Sequence, residues 1–300
     1  MQQRSGSTLK GVVTALLMAL NVIAWCLVLF AVAIAKFILP IPAWRRGLSR
    51  AMTALAEGWI GCNNAIFRLM GSLPLEPRGL EGLSTREWYL VVSNHRSWVD
   101  ILVLQAVFNR RIPFLKFFLK QQLIWVPFLG IAWWALDFPF MRRYSSAHLA
   151  KHPEDRGKDL EVTRRACEKF RLIPTSVMNF VEGTRFTPAK HVATKSPYRN
   201  LLPPRAGGVS FVLSAMGGML NSKLDVTIAY TTGTPSFWDL CCGRVGTVRV
   251  DVQRRAIEDW LAAGDYMNDP AFRERFQAWL GGVWAEKDAA RPHARVRMRT

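Results

Sequence analysis

The residues best suited to chemistry fall together in Ser93-Asn94-His95-Arg96-Ser97-Trp98-Val99-Asp100. A histidine with an aspartate five positions on can form the general-base half of a triad. The carboxylate fixes the ring tautomer and leaves the far nitrogen basic. The nucleophile would then be a hydroxyl carried by the substrate. Trp88 to Val92, just before, is a short apolar run without polar alternation, as expected of a strand buried on both faces. A helix is expected over residues 97–108. His95 therefore falls at the C-terminal end of a strand, where open α/β sheets place their ligand crevices. The same residues also have a purely structural reading. Ser97-x-x-Asp100 is a variant of the helix capping box, with Asp in place of Glu. On that reading Asp100 caps the helix and His95 is a loop residue. The two readings are compatible, because a carboxylate in the first helical turn can reach back to the preceding loop.

A second group, Glu182-Gly183-Thr184-Arg185, directly follows an expected strand at residues 176–181. It is another strand-end loop and can face the same crevice. Gly183 permits a tight turn. Arg185 offers a planar fork that pairs bidentately with phosphate. The plain alternative is a turn with a solvated Arg–Glu pair. A third group, Phe140-Met141-Arg142-Arg143, follows an apolar run and extends the basic residues; Arg205 in Leu201-Leu202-Pro203-Pro204-Arg205 is similar. Their alternative is charge at a membrane surface or in water.

The elements that must position these residues alternate between strand and helix. Further strands are expected at residues 226–230 and 245–252, and a helix at 158–172 with Leu160, Cys167 and Phe170 on one side. The last helix has Asp269 as N-cap, Pro270 in the first position, and a stripe of Phe272, Phe276, Trp279 and Val283. This order predicts an α/β domain over residues 75–290, a mixed sheet flanked by helices. Gly71 to Pro77 reads as a loop. Leu123 to Leu136 is too short to span a bilayer comfortably and suits a core element or an interfacial segment. The tail, residues 291–300, is basic and reads as disordered.

Ahead of that domain, residues 11–35 carry no charge. As a helix they extend about 37 Å, against a hydrocarbon core of about 30 Å, so residues 1–40 read as a transmembrane anchor. Ala31-Val32-Ala33 resembles a signal-peptide cleavage site, but the apolar run is longer than a signal peptide needs. Lys36, Arg45, Arg46 and Arg50 outweigh Arg4 and Lys10, which places the catalytic domain on the cytoplasmic side. Residues 41–74 read as an amphipathic helical linker, with Met52, Leu55, Trp59, Ile66 and Phe67 at helical spacing. Half of the 300 residues are hydrophobic, which excludes a disordered chain. The formal net charge of +18 and the twelve Trp favour an anionic partner and a membrane interface. Five cysteines without metal spacing fit a reduced compartment.

Taken together, these blocks resemble the glycerolipid acyltransferases, the PlsC-like lysophosphatidate acyltransferase family. The family's Asn-His-x-Ser-x-x-Asp block is matched by Asn94, His95, Ser97 and Asp100, and its Glu-Gly-Thr-Arg block by Glu182, Gly183, Thr184 and Arg185. Its Phe-Ile-x-Arg block is similar to Phe140 through Arg143. Order and spacing agree over residues 75–252. Phe118 to Leu123, Trp125 to Gly130 and Gly157-Lys158-Asp159 resemble the YihG-like bacterial branch in particular. The resemblance implies that His95 is the general base and that Asp100 orients it. It implies that Arg143, Glu182 and Arg185 help hold the acceptor, with Gly183, Thr184, Asn94 and Ser97 supporting them. It further implies an acyl-CoA or acyl-carrier-protein donor, a lysophosphatidate or related lysophospholipid acceptor, phosphatidate as product, and no metal or other cofactor. A bacterial inner membrane containing anionic lipid is the expected setting, with no nucleic-acid partner. Two departures stand out. Val226 to Tyr230 lacks the proline usual in the family's late block, and Asp137-Phe138-Pro139 replaces the glycine usual before Arg143.

Two other readings compete. The charge and the Arg-rich tail fit a membrane-tethered protein that binds nucleic acid or anionic surfaces without catalysis, although no zinc-finger spacing, RNP motif or basic heptad region is present. His148 and His152 sit four apart, as metal ligands on a helix would, but no glutamate lies between them and Pro153 follows at once.

Overall fold

The computed structural model describes residues 2–141 and 173–290, and between them residues 161, 165, 167, 168, 170 and 171. The chain opens with two long helices, α1 (Gln2–Ile38) and α2 (Pro42–Leu69). They form an antiparallel hairpin. Asn21 Nδ2 donates to Asn63 Oδ1 at 2.9 Å and to the Trp59 carbonyl at 3.2 Å. Near the turn, Trp44 Nε1 donates to the Ala35 carbonyl at 2.9 Å. Close packing depends on Gly58, where a Cβ would stand 2.4 Å from the Trp25 ring. Thr14, Met18, Cys26, Leu29, Ala33 and Lys36 are buried at helical spacing. The other side of α1 is also apolar and stays open, from Val12 and Leu16 to Ile34 and Ile38. Among the described residues, Ser7–Ile38 is the helix long and apolar enough to cross a membrane by length and composition. Both of its ends touch the rest of the molecule. A Cβ at Gly11 would meet Cys242 Sγ, and at the far end Lys36 pairs with Asp137 at 3.3 Å.

The strands β1 (Leu75–Arg78), β2 (Tyr89–Ser93), β3 (Leu115–Phe117), β6 (Ser176–Phe180), β7 (Ser222–Tyr230) and β8 (Val248–Arg255) form one six-stranded sheet; β4 (Leu119–Lys120) and β5 (Phe140–Met141) form a separate parallel pair. The sheet order is β1-β8-β7-β2-β6-β3, with β7–β8 antiparallel and the other pairs parallel. It is the mixed α/β sheet that the alternation of elements predicts. β2 is central, and its side chains alternate between two cores. Tyr89 and Val91 pack with α3 (Val99–Phe108) and the hairpin. Leu90 and Val92 pack with helices Ala206–Met216 and Pro270–Ala289. Burying each such apolar side chain contributes about 1.5–3 kcal/mol. Both faces covered is what the unalternating apolar run requires.

The sequence expectations needed adjusting in places. Leu75–Arg78, read as part of a loop, is an edge strand paired only with β8. Its one-sided pairing lets Pro77 sit there without breaking a ladder, and its exposed residues carry no apolar pattern. The stretch 123–136 is not one element. A 3₁₀ turn over Gln121–Trp125 and a helix α4 (Leu129–Ala135) meet at Phe128, whose φ is +60°. Ala132 and Ala135 face the core while Phe128, Ile131 and Trp134 stay exposed, so the segment is both core and open surface. The final helix starts as read: Asp269 accepts from the Phe272 amide at 3.1 Å. The expected helix at 158–172 and His148 and His152 lie wholly or mostly outside the described residues. Cys167 and Phe170 are buried against the second core, as the expected helix face requires.

Candidate active site

β2 and β6 are adjacent and parallel, with Ser93 level with Phe180. The loops that follow them therefore leave from the same end of the sheet. The Phe186 amide donates to the His95 carbonyl at 2.8 Å, which ties the two loops together. The two strand-end loops thus lie side by side at one end of the sheet, as their positions in the sequence predict.

His95 Nδ1 lies 2.8 Å from Asp100 Oδ2. A carboxylate can only accept, so Nδ1 carries the proton and Nε2 is the acceptor in the neutral ring. Asp100 is fully buried, while the His95 side chain remains 15% exposed. The same Oδ2 accepts from the amides of Arg96 at 2.5 Å and Ser97 at 2.9 Å. Oδ1 accepts from the Tyr230 hydroxyl at 2.5 Å. Asp100 thus both accepts from the amides at the start of α3 and holds the histidine, so one side chain makes the contacts that both readings call for. The His95 ring stacks on Phe180, centroids 3.9 Å apart and planes within 15°.

The supporting residues are structural pins. Asn94 donates to the Ile228 carbonyl at 3.1 Å and accepts from the Ile228 amide at 2.9 Å, carrying the β2–β7 pairing past the end of β2. Ser97 Oγ accepts from the Val99 amide at 3.0 Å and donates to the Pro235 carbonyl at 2.5 Å.

In the second loop Gly183 has φ +67°, which favours glycine, and the Arg205 side chain packs against it, Cδ 2.9 Å from where a Cβ would stand. Arg205 is thereby placed against this loop. Thr184 Oγ1 and the Arg185 carbonyl both accept from Lys190 Nζ, at 2.6 and 3.1 Å. The Arg185 guanidinium lies 4.5 Å from the centre of the exposed Trp98 ring, which joins it to the His95 loop. Glu182 is buried. Arg143 lies outside the described residues.

Three partners escaped the sequence reading. Arg96 donates to the Asn200 carbonyl at 2.8 Å and stacks on Phe186. Burial lowers its pKa, and the charges of Glu182, Asp100 and Asp288 oppose that shift. Phe180 and Tyr230 look like ordinary strand residues; only the strand-end position of Phe180, level with Ser93, could have flagged it. Burial, and then the charge and hydrogen bond of Asp100, push the Tyr230 pKa strongly up, so it stays a donor.

A histidine–aspartate pair therefore stands at the strand ends of a mixed sheet, beside an arginine-bearing loop. The chain belongs to the Acyltransferase family, whose family model matches residues 75–231. It is 27% identical over 215 residues to a mouse protein described as 1-acyl-sn-glycerol-3-phosphate acyltransferase gamma, covering 68% of this chain and 52% of that one. It is 25% identical over 256 residues to the delta enzyme of Macaca fascicularis, covering 81% and 60%. The chain thus spans a little over half the length of these curated relatives. The crystal structure of the LPA acyltransferase PlsC from Thermotoga maritima shares the fold, with a TM-score of 0.54 at 14% identity, covering 96% of this chain and 99% of that one.

Proposed function

We propose that this protein transfers a fatty acyl group from acyl-CoA or acyl-carrier protein to the free hydroxyl of lysophosphatidate or a related lysophospholipid, giving phosphatidate or its counterpart. The observation that carries the proposal is the His95–Asp100 contact at 2.8 Å, with Asp100 fully buried and His95 partly open. An alcohol is a poor nucleophile near neutral pH, whereas a thioester carbonyl is a good electrophile. His95 Nε2 takes the hydroxyl proton as the oxygen attacks the thioester carbon. The tetrahedral intermediate collapses with cleavage of the C–S bond, and the leaving sulfur takes the proton back from His95. Asp100 stabilises the imidazolium formed in between. Arg185, with Arg143 and the nearby Arg205, binds the acceptor's phosphate so that its hydroxyl meets Nε2.

The open apolar face of the hairpin attaches the protein to a membrane, with anionic lipid attracted by the +18 charge. Because both ends of α1 touch the catalytic domain, this attachment holds the crevice close to the bilayer, where the acceptor resides. The proposed setting is the cytoplasmic face of a bacterial inner membrane. The test is acyl transfer on membranes with lysophosphatidate against lysophosphatidylcholine as acceptor. Transfer to lysophosphatidate supports the proposal; salt-sensitive nucleic-acid binding with no transfer to any acceptor overturns it in favour of the binding-protein reading.

A further inference from the structure

A cavity of about 810 Å³ lies away from His95, between the α1–α2 turn and the edge strand β3. Phe114, Lys116 and Thr175 in its wall stand at or beside the N-terminal ends of β3 and β6, level with Tyr89. His95 follows the C-terminal end of β2, so the length of that strand, about 13 Å at roughly 3.3 Å per residue, separates the two.

The lining is unbalanced in charge. Among its described residues are five basic side chains, Lys36, Arg45, Arg46, Lys116 and Arg165, and one acidic, Asp137. Asp137 is engaged by Lys36 at 3.3 Å and Arg165 pairs with Glu161 at 2.8 Å, so the excess is centred on Arg45 and Arg46 of α2. α2 turns one helical face to the cavity, Pro42, Arg45, Arg46, Ser49, Met52 and Thr53. Arg45 gives its Nε to the Leu39 carbonyl at 3.3 Å, and a guanidinium has further donors to offer. The remaining wall is apolar, with Phe37 stacked on Trp134 at 5.2 Å. Outside it, Ile38, Leu39, Ile41 and Trp44 are exposed. Cationic groups beside an apolar wall, at the open tip of an apolar hairpin, match one chemistry: a phosphate joined to hydrocarbon.

We propose that this cavity binds the phosphate headgroup of an anionic phospholipid, as a second site apart from the catalytic histidine. The site stands whether or not His95 is the base, and its test reads binding alone. The full chain in detergent micelles is titrated with phosphatidylglycerol or phosphatidylcholine, and retained lipid is counted by native mass spectrometry. Wild type and His95→Ala should each retain one phosphatidylglycerol and discriminate against phosphatidylcholine. Arg45→Gln/Arg46→Gln should bind phosphatidylglycerol about tenfold or more weakly, the loss of charge-assisted bonds. Arg45→Lys/Arg46→Lys, which keeps the charge, should retain most binding. Both positions are exposed, so neither pair disturbs the core. Equal retention by the glutamine variant, or equal retention of the two lipids, overturns the proposal. Loss of binding in His95→Ala with displacement by lysophosphatidate also overturns it, by moving the lipid to the crevice. Displacement by inorganic phosphate alone would make it a site for the free anion and likewise overturn it.

Discussion

The Tyr230 hydroxyl donates to Asp100 Oδ1 at 2.5 Å, opposite the oxygen that meets His95. Tyr230 closes β7 and reaches across 130 positions of sequence to hold the carboxylate that holds His95. With both oxygens engaged, the carboxylate has one orientation, and so does the imidazole.

Tyr230→Phe removes that bond and little volume. A hydrogen bond to a charged group contributes about 1.5–3 kcal/mol, so turnover should fall roughly tenfold to a hundredfold. KM for the acceptor should hold, because Tyr230 touches Asp100 rather than the phosphate loop. Steady-state kinetics separates the two: a rise in KM at unchanged kcat would show that Tyr230 acts elsewhere.

Arg185→Ala should act the other way. Its guanidinium rests on the exposed Trp98 ring beside the His95 loop. Its loss should raise KM for lysophosphatidate about tenfold or more, with a smaller effect on a glycerolipid acceptor lacking phosphate. Equal loss with both acceptors would remove Arg185 from phosphate binding.

Asn94→Ala tests a pin rather than the chemistry. Its side chain satisfies both the amide and the carbonyl of buried Ile228. Losing these two hydrogen bonds, each worth about 0.5–1.5 kcal/mol net, should cost the variant about 1–3 kcal/mol of stability. Denaturant titration in detergent reads this; an unchanged midpoint would contradict it.

Lys223 gives a pH signature. It is buried on β7, and burial lowers its pKa from 10.5 to about 8; Asp225 and Glu286 oppose the shift, while Arg255 and Lys287 reinforce it. The unfolded chain keeps this proton up to pH 10.5, while the folded chain gives it up near pH 8. Between those values the unfolded state binds more protons, so this residue adds stability as pH rises through the window. Lys223→Met should lack that increment. Parallel stability–pH curves for the two proteins would show that the lysine is not buried as described.

Much of the site was legible because its motifs are local. Asn94, His95, Ser97 and Asp100 lie within one turn of a helix start, and Glu182 to Arg185 fill one tight loop. Their strand-end position followed from two apolar runs. What was hidden depends on distant pairing. Tyr230 reads as one more apolar strand residue until β7 is laid beside β2. The beginning of β7 was missed because Lys223 and Asp225 interrupt its apolar run; both are buried, Asp225 paired with Lys287 of the last helix and Lys223 over the Trp279 ring. Leu75–Arg78 and Leu115–Phe117 are short strands at the sheet's two edges, where one-sided pairing asks little of composition.

The role proposed for His95 is to take the proton from the lipid hydroxyl. Acyl transfer to lysophosphatidate should be measured on membranes carrying equal amounts of wild type and His95→Ala, with folding of both checked. Turnover should be lower by about 10²–10⁴-fold in His95→Ala, with membrane association unchanged. Full turnover by folded His95→Ala would contradict it.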